Sequence, residues 1–314
     1  MAKEVVAAIT MSEDAIVEWF ARRSELPEAD FPIGIGDDMA EVRLGPSSSV
    51  LITTDILADG VHFDLKKATL EQVGYKAMAV SVSDCAAMAT IPVAVVVSVV
   101  LPGGFGKEEL KQLHTGIVSA GERFGCELIG GDIASFKSDR PFVINVAMLS
   151  RPAATRPIRR SGAKPGDCIC VTGQLGGADR GRHLDVEPRL KEAIQITSLV
   201  SINSMIDISD GLSSDLNRIC RQSGVGAVID VNRIPISAQA QQKEDPLSSA
   251  LNDGEDFELL FTLSNQQCRK LLEQWREQTA ITRIGKVTDT GIMQMRQPCG
   301  RICEFQPSGY DHLL

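Results

Sequence analysis

Six short segments rich in glycine, serine or threonine each contain or end on aspartate. They are Gly34-Ile-Gly-Asp-Asp38, Thr53-Thr-Asp55, Ser81-Val-Ser-Asp84, Gly130-Gly-Asp132, Asp207-Ile-Ser-Asp-Gly211 and Asp253-Gly-Glu-Asp256. A fold that gathers these carboxylates must place positive charge among them, because like charges in a dry site repel. Small flanking residues let a ligand approach the backbone closely. Magnesium ions carrying a polyphosphate meet both conditions.

The chain has 314 residues, which suits two domains, and 43% of them are apolar, enough for a sizeable core. Its net charge of −9 argues against nucleic acid and anionic membranes as partners. Phosphate ligands stay allowed, since a bound metal inverts the local sign. No apolar run reaches the ~20 residues of a membrane helix. Residues 1–11 lack the apolar core and cleavage site of a signal peptide. The eight cysteines form no Cys-x-x-Cys and do not group with the four histidines. Zinc is therefore not expected, and a reduced, cytoplasmic setting is.

Ser12 reads as the cap of a helix carrying Ile16, Trp19, Phe20 and Arg23, and Phe31–Met39 as a loop. Val50–Asp55 reads as a strand delivering Asp55. In a helix over Thr69–Thr90, Leu70, Val73, Ala77 and Val80 form the inward stripe, and Asp84 falls in the same register. An ionised carboxylate there costs several kcal/mol unless paired. Strands are expected at Pro92–Leu101, Cys126–Gly130, Phe142–Leu149, Asp167–Thr172, Ser204–Ile208, Phe257–Leu263 and Ile281–Val287. Helices are expected at Lys107–Phe124, after the Gly173–Gly177 turn, after a Ser209 cap (Leu212, Leu216, Ile219) and at Asn265–Glu277. Ile236–Ser249 reads as a mobile polar loop. Strands and helices mix without strict alternation, so the class is α+β, with domains over 1–150 and 151–314.

The chain has no Walker-type loop, complete dinucleotide fingerprint, kinase catalytic loop or nucleophile elbow. A covalent catalytic nucleophile is therefore not expected. Phosphoryl transfer needs positioning and charge neutralisation more than a reactive side chain. Asp37, Asp55, Asp84, Asp132 and Asp210 suit metal ligation. The amides of Gly130-Gly131 and the Ser209 turn suit phosphate. The plainer alternative is that each is a turn or cap aspartate. Asp38 reads as a cap or solvent-facing residue, Asp215 as an exposed helix residue and Asp256 as the partner of a cation. His62 suits a substrate phosphate or a purely structural role. Arg160 suits an ATP phosphate or the solvated surface.

In chain order these segments join Gly60-Val-His-Phe63, Ser83-Asp-Cys-Ala-Ala-Met88, Arg160-Ser-Gly-Ala-Lys-Pro-Gly-Asp167, Gly254-Glu-Asp-Phe-Glu-Leu259 and Gly309-Tyr-Asp-His312. Together they resemble the thiamine-monophosphate kinase family, of the aminoimidazole-ribonucleotide-synthetase-like superfamily, from about residue 12 onward. The resemblance implies ATP-dependent phosphorylation of thiamine monophosphate to thiamine diphosphate, by in-line attack without a phosphoenzyme. It implies a homodimer paired through N-terminal sheets, with ATP and several Mg²⁺ between the domains. By motif, Asp37, Thr53, Thr54, Asp55, Asp84, Asp132, Asp207 and Asp210 would serve the metals. Gly131, Asp132, Arg160 and Ser209 would contact ATP, and His62, Glu255 and Tyr310 the thiamine substrate.

Three departures stand out. Ser81-Val-Ser-Asp84 replaces the family's usual Asn-Leu-Ser-Asp, Asp253-Gly254 replaces two glycines before Glu255, and Gly177–Ile196 is short. Competing readings are selenophosphate synthetase, aminoimidazole ribonucleotide synthetase, the hydrogenase-maturation dehydratase, or an inactive nucleotide- or metal-binding module. The first expects an N-terminal reactive cysteine, whereas the first here is Cys85. The maturation enzyme ends in cysteine, whereas this sequence ends Asp-His-Leu-Leu314.

Overall fold

The computed structural model describes residues 12–24, 26–138 and 140–312. The stretch over residues 1–11, where no signal peptide is expected, lies outside the described residues. A five-stranded sheet comprises β1 (Ala40–Gly45), β2 (Ser48–Ala58), β3 (Thr90–Leu101), β4 (Glu127–Ser135) and β5 (Val143–Pro152), in the order β1-β2-β5-β3-β4. All its pairings are antiparallel except β3 with β4. A seven-stranded sheet follows, from β6 (Cys168–Thr172), β7 (Ser204–Asp207), β8 (Gly226–Asp230), β9 (Leu259–Leu263), β10 (Ile281–Thr288), β11 (Met293–Arg296) and β12 (Ile302–Glu304). Its order is β12-β11-β8-β10-β6-β9-β7.

The helices are α1 (Glu13–Arg23), α2 (Leu70–Ala87), α3 (Lys107–Phe124), α4 (Leu190–Leu199), α5 (Leu212–Ser223), α6 (Pro246–Asn252) and α7 (Asn265–Gln274). The mixed α+β class read from the sequence holds. Ser12 caps α1, and Thr69 with Gln72 closes a capping box on α2. Helix α2 is buried nearly all round because it lies between the halves. It packs on β2, β3 and β5 of the first sheet and on α4 and β7 of the second half. Its contact with α3 is glycine-mediated: a Cβ on Gly116 would sit 1.9 Å from the Glu71 carbonyl oxygen.

Strand β2 alternates. Leu51, Thr53, Asp55 and Leu57 turn toward α2, while Ile52, Thr54 and Ile56 stay on the sheet's open face. One row across that open face runs Ile56, Asn145, Ser98, Asp132.

Four local expectations are corrected. The Gly173–Gly177 turn leads into two short 3₁₀ turns, Ala178–Arg180 and Arg182–Leu184, and a helix begins only at Leu190. The span 236–249 is not an unstructured loop. Asp245 caps α6 with Pro246 in its first turn, and Ser237, Ala240 and Ser249 are buried. Gly211, not Ser209, is the N-cap of α5. Strand β4 runs to Ser135, so Asp132 lies within it rather than at its exit. Among the described residues, no helix is long and apolar enough to cross a membrane.

Candidate active site

Helix α2 carries Asp84 into the seam between the halves, where β7 ends at Asp207 and the turn before β1 brings Asp38. Carboxylate oxygens of Asp38, Asp84 and Asp207 lie within 4.8 Å of one another. Asp38 and Asp207 are buried, and Asp84 is partly exposed. Asp38 thus neither faces solvent nor caps a helix, as the sequence suggested; Arg160 Nη2 donates to its Oδ1 at 2.7 Å.

Three hydroxyls set the cluster's geometry. Thr53 donates to Asp84, Ser81 Oγ to Asp55 Oδ2 at 2.5 Å, and Ser83 Oγ to Asp207 Oδ2 at 2.5 Å. Burial, then the charges of Asp55, Asp207 and Asp38, push the Asp84 carboxyl well above the usual carboxylate range. Burial raises Asp207 to about 7 and Asp55 to about 6, with Asp38 adding to both. Burial likewise lifts Asp37 to about 6, against a hydrogen bond from the Arg160 amide.

The residues present fit a hard divalent cation. The donor set is carboxylate oxygen, as Mg²⁺ prefers. Among the described residues, Asp38 Oδ2 is a buried acceptor with no hydrogen-bond partner, and Arg160 Nε is a buried donor with none. An unpaired acceptor beside an unpaired donor suits a cation bound with an anion. A cavity of about 280 Å³ adjoins them, lined among others by Asp14, Asp37, Arg159, Arg160, Arg218 and Arg221. A second cavity of about 370 Å³, beside Tyr75 and Leu184, contains none of the sequence-derived site residues.

The other candidates divide. Asp210 pairs with Arg218 at 2.5 Å and stands outside the carboxylate trio. Asp215, read as exposed, is fully buried; it accepts from Arg218 and from the Asp210 amide. Thr54 lies on the open face of the first sheet, bonded to Asn145. Asp132 shares that face and, among the described residues, accepts only from the neighbouring Ile133 amide, while Gly131 beside it packs on the Val97 carbonyl. Ser209 accepts from the Glu255 amide through its carbonyl. Asp256 does meet a cation, Arg182.

The three residues assigned to the thiamine end are drawn together. The His62 and His312 rings are 5.1 Å apart, and Tyr310 meets His312 edge-on at 4.8 Å. His62 Nδ1 accepts from the Ala58 amide, which leaves the ring proton on Nε2. Burial, His312 and Lys76 lower His62 to about 4, so it is neutral. Glu255 joins through Lys76, whose ammonium donates to both Glu255 and the His62 carbonyl. The unusual Asp253 turns away: its carboxylate accepts from Gly177, Ser249 and Lys243.

Sequence reasoning missed Asp38, Lys76, Ser81, Ser83 and Arg218.

Fold and site together define an AIR synthase related protein. Residues 36–151 match the AIR synthase related protein N-terminal domain and residues 166–296 the C-terminal domain. The chain is 34% identical to the thiamine-monophosphate kinase of Rhodopirellula baltica, over 93% of this chain and 94% of that one. It is 31% identical to that of Bacillus subtilis, over 89% and 93%. The solved AaThiL structure complexed with AMPPCP and TMP superposes with a TM-score of 0.80 at 28% identity, covering 97% of this chain and 100% of that one. The chain belongs to the thiamine-monophosphate kinase family. The HypE–HypF complex structure, at 19% identity and a TM-score of 0.75 over 93% and 99%, shares the fold alone.

Proposed function

We propose that the protein transfers the γ-phosphoryl group of ATP to thiamine monophosphate, giving thiamine diphosphate and ADP. The observation that carries this reading is the convergence of Asp38, Asp84 and Asp207 at the seam, beside an arginine-lined cavity. Family membership supports the acceptor, and the relative complexed with AMPPCP and TMP supports the pair of substrates.

Asp37, Thr53, Asp55, Asp84, Asp207 and Asp210 would serve the metal sites, with Asp38 added to them, whereas Thr54 and Asp132, on the open face of the first sheet, stand apart from this cluster. Several Mg²⁺ ions, when bound, would neutralise the polyphosphate and the charge developing in the transition state. Thr53, Ser81 and Ser83 hold their carboxylates in place before substrate arrives, which lowers the reorganisation cost of the reaction. Arg160 and Ser209 would contact ATP at the seam, and Gly131 and Asp132, in the edge strand of the first sheet, would reach it only from outside this cluster. His62, Glu255 and Tyr310 would take the thiamine end, with the neutral His62 offering its Nε2 proton and the Glu255 carboxylate suiting a cationic ring. The acceptor's phosphate oxygen attacks the γ-phosphorus in line, and no side chain forms a covalent intermediate.

This reading divides the chain into a nucleotide- and metal-binding, dimerising domain over 1–150 and a completing domain over 151–314. It places the enzyme in the cytoplasm as a homodimer. Ile52, Ile56 and Val96 exposed on the open face of the first sheet, with Ile129 and Ile133 on its free edge strand, support pairing there.

A coupled ADP-release assay tests the activity. Release with thiamine monophosphate and Mg²⁺, and not with thiamine or in excess chelator, is expected. Equal release with thiamine, or full activity in chelator, refutes the reading.

A further inference from the structure

Lys76 is wholly buried in α2, yet its ammonium makes two short bonds to opposite sides of the seam. It donates to the His62 carbonyl at 2.6 Å and to Glu255 Oε1 at 2.5 Å. His62 belongs to the first half of the chain; Glu255 lies 179 residues from Lys76, in the second. Burying an ammonium–carboxylate pair gives little net stability, because desolvation offsets the attraction and an apolar pair of similar size does as well. Stability alone therefore does not account for Lys76.

The surroundings show what the pair holds. Glu255 has φ +55° and Phe257 φ +49°, backbone that side-chain-bearing residues rarely adopt. Two backbone hydrogen bonds hold that segment on the strand-to-helix turn: the Glu255 amide donates to the Ser209 carbonyl at 2.6 Å and the Phe257 amide to the Ile208 carbonyl at 2.8 Å. Glu255 remains partly exposed, and its Oε2 takes no hydrogen bond among the described residues. Lys76 thus occupies one carboxylate oxygen and leaves the other without a protein donor among the described residues.

We infer that Lys76 is a positioning residue for acceptor recognition: one ammonium ties the His62 turn to the Glu255 carboxylate and so fixes the distance between the two walls of the thiamine pocket. This rests on the acceptor reading above. Lys76 has no solvent-exposed surface and acts through Glu255 and His62, not by touching substrate.

Steady-state kinetics of wild type, Lys76→Met, Glu255→Gln and the double variant test it, with binding of a non-hydrolysable ATP analogue as the folding control. Lys76→Met is expected to raise KM for thiamine monophosphate about tenfold, the scale of one lost charge-assisted bond, while KM for ATP moves less than about twofold. In the Glu255→Gln background the same change should add little, because the two side chains act as one unit. Should Lys76→Met fail to bind the analogue, Lys76→Gln, which keeps a donor for the His62 carbonyl, is judged by the same criteria. An unchanged acceptor KM, equal rises for both substrates, or independent multiplication of the two single effects overturns the assignment. A wild type that releases no ADP with thiamine monophosphate would instead sink the acceptor reading itself.

Discussion

Ser83 Oγ and Asp207 Oδ2 share a 2.5 Å hydrogen bond across 124 residues of sequence. That bond joins the last turns of α2 to the end of β7. The carboxylate cluster is therefore a property of the seam: neither half of the chain forms it alone.

Asp84 is the carboxylate most burdened by its neighbours, with three others acting on it. Asp84→Asn should lower kcat by at least about 100-fold, through lost charge stabilisation in the transition state. In chelator the same variant should melt higher than wild type, because the cost of burying that carboxyl among other carboxylates has gone. Near-normal turnover, or a lower melting temperature in chelator, would count against this site.

The raised carboxyls make metal-free stability depend on pH, with a definite sign. Asp207 at about 7 and Asp55 at about 6 exceed their ordinary value of 3.8. Between those limits the folded chain holds more protons than the unfolded one, so stability falls as pH rises. The His62 effect runs the other way and levels off above its unfolded value of 6.5, so it opposes only the first part of that fall. In chelator the melting temperature should therefore drop from pH 6.5 to pH 8, and Mg²⁺ should raise it more at pH 8. A Mg²⁺ effect independent of pH, followed by differential scanning calorimetry, would argue against carboxylates as the ligands.

Among the described residues, Arg160 is the one cation paired with the enclosed Asp38 carboxylate. Arg160→Met leaves that charge buried alone and should cost about 3 kcal/mol in urea unfolding of the metal-free protein. Adding Asp38→Asn should recover much of the loss. Equal stability of the single and double variants would mean that the pair is not coupled.

The open face of the first sheet carries Ile56, 62% exposed, in the same row as Asp132. On the proposed pairing, Ile56→Lys should turn a wild-type dimer into a monomer in light scattering after gel filtration. An unchanged dimer mass would move the interface elsewhere.

Much of this site was legible in the sequence because segments that mix aspartate with small hydroxyl residues supply both the carboxylates and the donors that hold them. Thr53, Asp55, Asp84 and Asp207 are gathered in this way. Asp38 was not legible, since neighbouring aspartates at a turn differ only in which way the turn faces. Lys76 and Asp215 were missed because a charge inside a helix reads as surface unless its long-range partner is known. The 236–249 span looked unstructured by its polarity, although Asp245-Pro246 is a helix-start pattern. Asp132 and Thr54 lie across the sheet from Asp55, a separation set by strand alternation and register.

The most direct test is anomalous diffraction from crystals grown with Mn²⁺ in place of Mg²⁺ and a non-hydrolysable ATP analogue. Manganese peaks about 2 Å from carboxylate oxygens of Asp84 and Asp207, bridging to the analogue's phosphates, are expected. Phosphates bound by the arginines alone, with Asp84 and Asp207 free of metal, would contradict the account.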